Sequence, residues 1–196
     1  MPDTPVFPPL SDADWPALAD GMQEGFAGRL NVYRTMAHNP ALLKAWAPLR
    51  QHVVLDNALG AQLSEVAILR TGVRLGSSYE WGQHVVRARA CGMDDARIGS
   101  IRGPAEGMAP QDATIARAVD ELFDQKRLSP AIQAALVDLV GTAGLFDVIA
   151  TVGFYSTLGY ILNSCDTPLD EDIAAELDAR PLASEPDPAD RKMPRS

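Results

Sequence analysis

Residues 61–92 read AQLSEVAILRTGVRLGSSYEWGQHVVRARACG, and this stretch decides the fold. Leu63, Val66, Ala67, Leu69, Arg70 and Val73 recur at helical rather than strand spacing, which predicts a helix from Ala61 to Leu75. Gly76 interrupts it. A second helix is expected from Ser77 or Ser78 to Ala90, closing near Gly92, a residue suited to a left-handed cap. On this second helix Ser77, Glu80 and His84 stand three and four residues apart, so they stack on one face. Glu65 interrupts the apolar run of the first helix, where a carboxylate needs a reason to be. Titratable groups converging on a helix–helix seam are the usual material of a site in an all-helical protein.

Further helices follow on both sides. Residues 1–10 are Pro-rich and read as an extended arm. Ser11-Asp-Ala-Asp14 reads as a helix start, with Pro16 tolerated in the first turn. Asn31 to Ala37 is a short helix. Asn39 then caps a helix with Pro40 at its first position, running from Ala41 to about Leu55 with an irregularity at Pro48. Met93-Asp-Asp95 then caps a short helix through Ile101. Gln111–Gln125 repeats apolar residues at helical spacing, and Ser129-Pro130 opens another helix to about Leu139. Ala143 to Leu162 is apolar on nearly every side, so it is expected to be buried within the domain or between subunits. No alternating strand pattern, internal repeat or Gly-rich phosphate loop is present. The fold class is all-α: an arm over 1–10, one helical domain over 11–179, and a Pro-rich charged tail over 180–196.

The chain has 196 residues and a net charge of −9, concentrated towards Asp166–Asp178 and Glu185–Asp190. That balance disfavours nucleic acid, which needs clustered Lys and Arg. The N-terminus lacks the basic start and apolar core of a signal peptide, and the last apolar helix is broken by glycines and Asp147, so no membrane span is expected. A cytoplasmic protein is the expectation. Two cysteines far apart in sequence, Cys91 and Cys165, argue against a disulfide framework.

The Glu65, Ser77, Glu80 and His84 spacing resembles the carboxymuconolactone decarboxylase/alkyl hydroperoxidase D superfamily. The resemblance extends through Asn31-Val-Tyr-Arg-Thr-Met-Ala-His-Asn-Pro40, Tyr79-Glu-Trp81, Leu162-Asn163 and Thr167-Pro-Leu169, roughly residues 28–170. In the peroxidase branch a Glu precedes Cys-x-x-Cys and a His. Glu65 and His84 match the outer pair, but Ser77 and Glu80 stand at the two cysteine positions, so the redox pair is missing. The resemblance therefore implies the decarboxylase-like branch: a multi-helix fold, a carboxy-lyase type of enzyme and no cofactor. It also implies a homo-oligomer, trimer or hexamer, with a dimer as the alternative. The apolar 143–162 helix, with Trp46 and Trp81, supplies surface for such assembly.

Within that reading His84 is the proton shuttle, Glu65 its orienting partner and Glu80 a second acid–base group. An imidazole flanked by carboxylates is suited to that work. Ser77, Tyr79, Arg70, Arg74 and Arg87 are candidates for binding a small carboxylate or lactone, although each arginine also reads as ordinary helix-surface charge and Ser77 as a helix cap. No second histidine lies at ligand spacing from His84, so no metal is expected; His38 and His52 read as surface or capping residues. The competing functions are a cysteine-dependent hydroperoxidase, which the missing pair opposes, and a non-catalytic helical oligomer, which the full Glu65/Glu80/His84 set opposes.

Overall fold

The computed structural model describes residues 7–182, and every regular element among them is helical. Three short helices, α1 (Asp20–Gln23), α2 (Phe26–Arg29) and α3 (Asn31–Met36), precede α4 (Pro40–Gln51). Asn39 caps α4 by accepting from the Leu42 amide at 3.1 Å, with Pro40 in the first turn. Pro48 lies inside α4, and a wide π-turn, His52–Asp56, ends the segment.

The expected helix pair is α5 (Gly60–Leu75) and α6 (Ser78–Ala90). Gly76 sits between them at φ 61°, ψ 29°, the left-handed conformation that ends a helix without a Cβ penalty. Then come α7 (Asp95–Ser100), α8 (Pro110–Gln125), α9 (Pro130–Ser164) and α10 (Glu171–Ala179). The expected break between the 130–139 and 143–162 segments is Gly141, at φ 74°, ψ 174° inside α9. One expectation changes. The first helix dissolves into 3₁₀ turns at Asp12–Asp14 and Ala17–Ala19, because Trp15-Pro16 holds extended backbone between them. The acidic run before residue 180 is a helix, α10, which packs on α6. The sequence expectations for residues 1–6 and 183–196 lie outside the described residues.

Helix α5 is central and touches α6, α8 and α9. Apolar side chains form two main clusters. One gathers Val66, Leu69, Val85, Ile98, Ile115 and Val148; the other gathers Val32, Tyr33, Trp46, Ile68, Phe154 and Leu158. Trp46 and Trp81 are both buried in these clusters, Trp46 stacking on Phe154 at 4.4 Å, so neither is available for an interface as the sequence suggested. Instead α9 leaves Val137, Phe146, Ile149 and Tyr160 exposed. By length and composition α9 is also long and apolar enough to cross a membrane, although its buried residues serve the core.

Candidate active site

Local backbone chemistry directs Glu80 inward. Ser77-x-x-Glu80 has the spacing of a capping box, in which the serine caps the helix and the glutamate folds back to the serine amide. Ser77 does its half, accepting from the Glu80 amide at 3.4 Å. The Ser77 amide, however, already donates to the Gly72 carbonyl at 3.0 Å as part of the α5 terminus. Glu80 is thereby released from the cap, and its carboxylate turns towards His84 one turn on.

Glu65 from α5 completes the group. His84 Nδ1 lies 2.7 Å from Glu65 Oε2, and His84 Nε2 lies 3.5 Å from Glu80 Oε2. The imidazole therefore spans two carboxylates from two helices. Tyr155 from α9 fixes its plane, ring edge to ring face, with centroids 5.0 Å apart at 88°. His84 and Glu80 are almost fully buried, and Glu65 is slightly more open.

The two carboxylates do not behave alike. Burial pushes Glu80 up to about 8, with the negative charge of Glu65 adding and Arg87 opposing. Its Oε1 is buried without a hydrogen-bond partner. At neutral pH Glu80 thus stands mainly as a carboxylic acid, a form that can donate a proton.

Two cavities meet at this group. The smaller, about 20 Å³, is lined by Glu80, His84, Arg87, Arg50, Tyr33 and Tyr155, among others. The larger, about 400 Å³, is lined by Glu65, Ser64, Asn57, Arg87 and Cys91, among others. Val54 and Arg87 border both. The smaller space suits a water-sized body or the head of a ligand; the larger could hold the rest.

The structure brings Glu65, Glu80, His84 and Arg87 together, and it moves the other candidates elsewhere. Arg70 and Arg74 face α8. Arg70 donates to both oxygens of Asp120, at 2.9 and 2.7 Å, and to the carbonyls of Ile101 and Gly103, both at 2.8 Å. Arg74 pairs with Asp120 at 3.0 Å and with Asp124. Most of their donors are engaged there, and neither arginine lines the two cavities at Glu65, Glu80 and His84. Tyr79 lines the small cavity, but its hydroxyl donates to Asp170 at 2.5 Å and accepts from the Val32 amide at 3.2 Å. Burial, then the Asp170 hydrogen bond, hold its phenol well above the ordinary value. Ser77 is spent as a helix cap and borders a separate cavity with Gly72 and Trp81.

His52 is more than a surface residue: its Nε2 lies 2.7 Å from Asp147 Oδ1, and Asp147 Oδ2 also accepts from the Ala58 amide at 2.7 Å. The polar break in α9 therefore anchors the α4–α5 connection. Sequence reasoning missed Arg50, Tyr33 and Tyr155 as cavity residues. It also missed Asp170, which accepts from Tyr79, Gln83 and the Asn31 amide and so pins α6 to α3. Among the described residues no cluster of three or more His, Cys, Asp or Glu is arranged to hold a metal ion. Both cysteines are free.

Residues 40–121 match the carboxymuconolactone decarboxylase family. No curated protein matches the chain significantly in sequence. Among solved structures, an uncharacterized peroxidase-related protein from Silicibacter sp. TM1040 aligns with a TM-score of 0.71 and 15% identity, covering 88% of this chain and 97% of its own. The debrominase Bmp8, as a cysteine-to-alanine variant in complex with 2,3,4-tribromopyrrole, aligns with a TM-score of 0.67 and 15% identity over 90% of this chain and 98% of its own. Apo Bmp8 gives 0.66 and 16% over 88% and 96%. At such identities these likenesses establish the shared fold.

Proposed function

Residues 40–121 of this chain belong to the carboxymuconolactone decarboxylase family, and from that premise we propose a cofactor-independent enzyme of acid–base chemistry acting on a small carboxylated lactone or related acid. The observation that carries this reading is Glu80: a buried, mainly protonated carboxyl with a free oxygen, 3.5 Å from a histidine that a second carboxylate holds in place.

In a decarboxylation, the bond from carbon to carboxylate breaks and carbon dioxide leaves. The electron pair delocalises into the conjugated carbonyl, and carbon is then protonated. Glu80 is the proton donor. His84 restores that proton through Nε2, and Glu65 orients the ring through Nδ1 and balances the charge of the imidazolium as it forms. Lactone isomerisation would use the same groups without loss of carbon dioxide.

Cysteine peroxidase chemistry fits less well. Cys91 borders the larger cavity, but burial, then the nearby Glu65, push its thiol up, away from the reactive thiolate. No cysteine stands close in sequence to resolve a sulfenic acid, and a cytoplasmic setting would keep both thiols reduced.

Incubation with small carboxylated lactones in deuterium oxide tests the proposal. Carbon-bound deuterium should appear in the product and be lost in His84→Ala and Glu80→Gln; equal incorporation in both variants would sink it. Peroxide consumption with a dithiol, abolished by Cys91→Ser or Cys165→Ser, would reinstate the peroxidase reading.

We also infer a homo-oligomer, built on the exposed α9 face. Phe146 and Tyr160 there are 64% and 61% exposed in a chain that buries its other large aromatics except Phe7 and the half-buried Phe26 and Phe123. Light scattering after size exclusion should give a multiple of 21.0 kDa at micromolar concentration; a monomer mass would rule assembly out.

A further inference from the structure

Most partly buried arginines of this chain hold a carboxylate. Arg34, Arg70, Arg74, Arg89 and Arg97 pair with Asp12, Asp120, Asp120 and Asp124, Asp95, and Asp112, respectively. Arg50 and Arg87 form no such pair among the described residues, and both line the small cavity beside Glu80 and His84. In a chain with nine more negative than positive charges, two guanidinium groups without carboxylates at one cavity stand apart.

Arg50 is held by aromatic rings instead. Its guanidinium carbon lies 4.0 Å from the Phe26 ring centroid and 5.7 Å from that of Tyr33. The guanidinium also interacts with the Tyr33 hydroxyl. Stacking occupies its face and leaves donors to spare on the in-plane edge, the edge that grips a carboxylate in a two-pronged hydrogen bond. One of those donors, Nε, is buried and has no hydrogen-bond partner. Arg87 approaches the same space from α6. The same lining includes Glu80, whose Oε1 is unpartnered and whose residue is only 3% exposed. The cavity therefore brings together cationic donors and an uncommitted carboxyl oxygen.

We propose that Arg50 and Arg87 form a carboxylate clamp, with Arg50 the specificity-determining residue, stacked in advance on Phe26 and Tyr33. The clamp places the anionic head of the ligand in the small cavity and its body in the larger one beyond Arg87. The assignment builds on the reading of Glu80 and His84 as the proton-transfer pair, because the clamp is what sets a ligand against them. The ligand class is a small organic acid with a planar carboxylate. A neutral amide of the same shape lacks the charge the clamp recognises.

The test is titration of the full chain with acetate and with acetamide, followed by the ring resonances of His84. Acetate should shift them saturably, with acetamide at least tenfold weaker. Arg50→Met keeps an apolar stem against Phe26 and removes the fork; it should weaken acetate at least tenfold and leave acetamide unchanged. Arg50→Lys, which keeps the charge, should recover part of the loss and serves as the second variant if Arg50→Met does not fold. Equal binding of acetate and acetamide, no binding of acetate, or acetate binding indifferent to both Arg50 variants would each overturn the clamp. The deuterium experiment is read separately: acetate binding lost in Arg50→Met alongside deuterium incorporation indifferent to His84→Ala would keep the clamp and remove the proton-transfer role.

Discussion

Helix α5 carries two sets of charges on opposite sides, and they are built on different principles. Towards α8, Arg70 and Arg74 meet Asp120 and Asp124 with most donors matched. Towards α4 and α9, Glu65 and the α6 residues Glu80, His84 and Arg87 gather with donors and acceptors left over. The residue types are the same. What separates them is completion: matched charges fasten two helices, whereas unmatched ones beside a cavity keep capacity for a ligand.

The comparison breaks most readily through His84. His84→Ala should lower turnover about 10²–10⁴-fold in whichever lactone or acid assay the native protein supports, the usual range for removing a general acid–base group. The melting temperature should change far less. A variant that melts far lower while keeping its specific activity would place His84 with the fastening set.

Glu80 gives the next largest effect, in stability against pH. Its carboxyl titrates near 4.5 when free and about 8 when folded. Because the folded value is raised, the native state holds a proton that the unfolded chain releases between those values. This contribution to stability is fully present below about 4.5, declines as pH rises, and is gone above about 8, with a slope of up to ~1.4 kcal/mol per pH unit. Glu80→Gln cannot titrate, so urea denaturation should show a flatter profile and a variant more stable than the native chain at pH 8.5. Parallel profiles for the two proteins would place Glu80 in a wetter setting than its 3% exposure implies.

On the other side of α5, Arg70→Ala strips four hydrogen bonds from a mostly buried ion pair and should cost about 3 kcal/mol in urea denaturation. Arg87→Ala should stay within about 0.5 kcal/mol of the native chain, since Arg87 completes nothing structural. Equal costs would erase the distinction between the two sides. Ser77→Ala falls between these two, at about 1 kcal/mol through the lost cap, with turnover intact.

The same distinction explains what was legible in the sequence. Glu65 and His84 lie on adjacent helices joined by a single-glycine break, so periodicity and spacing suffice to bring them together. Arg70 and Arg74 looked equally suited to a substrate because their partner Asp120 is 50 and 46 residues away on α8, beyond the reach of any local pattern. Arg50 lies near the end of α4 with nothing local to mark it, Tyr155 is one more ring in an apolar run, and Asp170 hides in an acidic stretch. Each gains its role only from tertiary packing. The helical class and the break at Gly141 were readable, whereas the first turns were not, since Trp15-Pro16 overrides a fair local start signal.

Gly72 acts as a spacer gauge for the whole arrangement. A Cβ built there would sit 3.4 Å from Glu80 Cβ and 3.4 Å from the Trp81 amide, so the absence of a side chain sets how near α6 can ride on α5. The Glu65–His84 bond crosses that same gap. Alanine would just fit, and anything bulkier would wedge the helices apart and lengthen the bond without altering a polar atom. Position 72 is thus a mechanical dial, from which a protein engineer could detune proton delivery in graded steps by choice of side-chain volume.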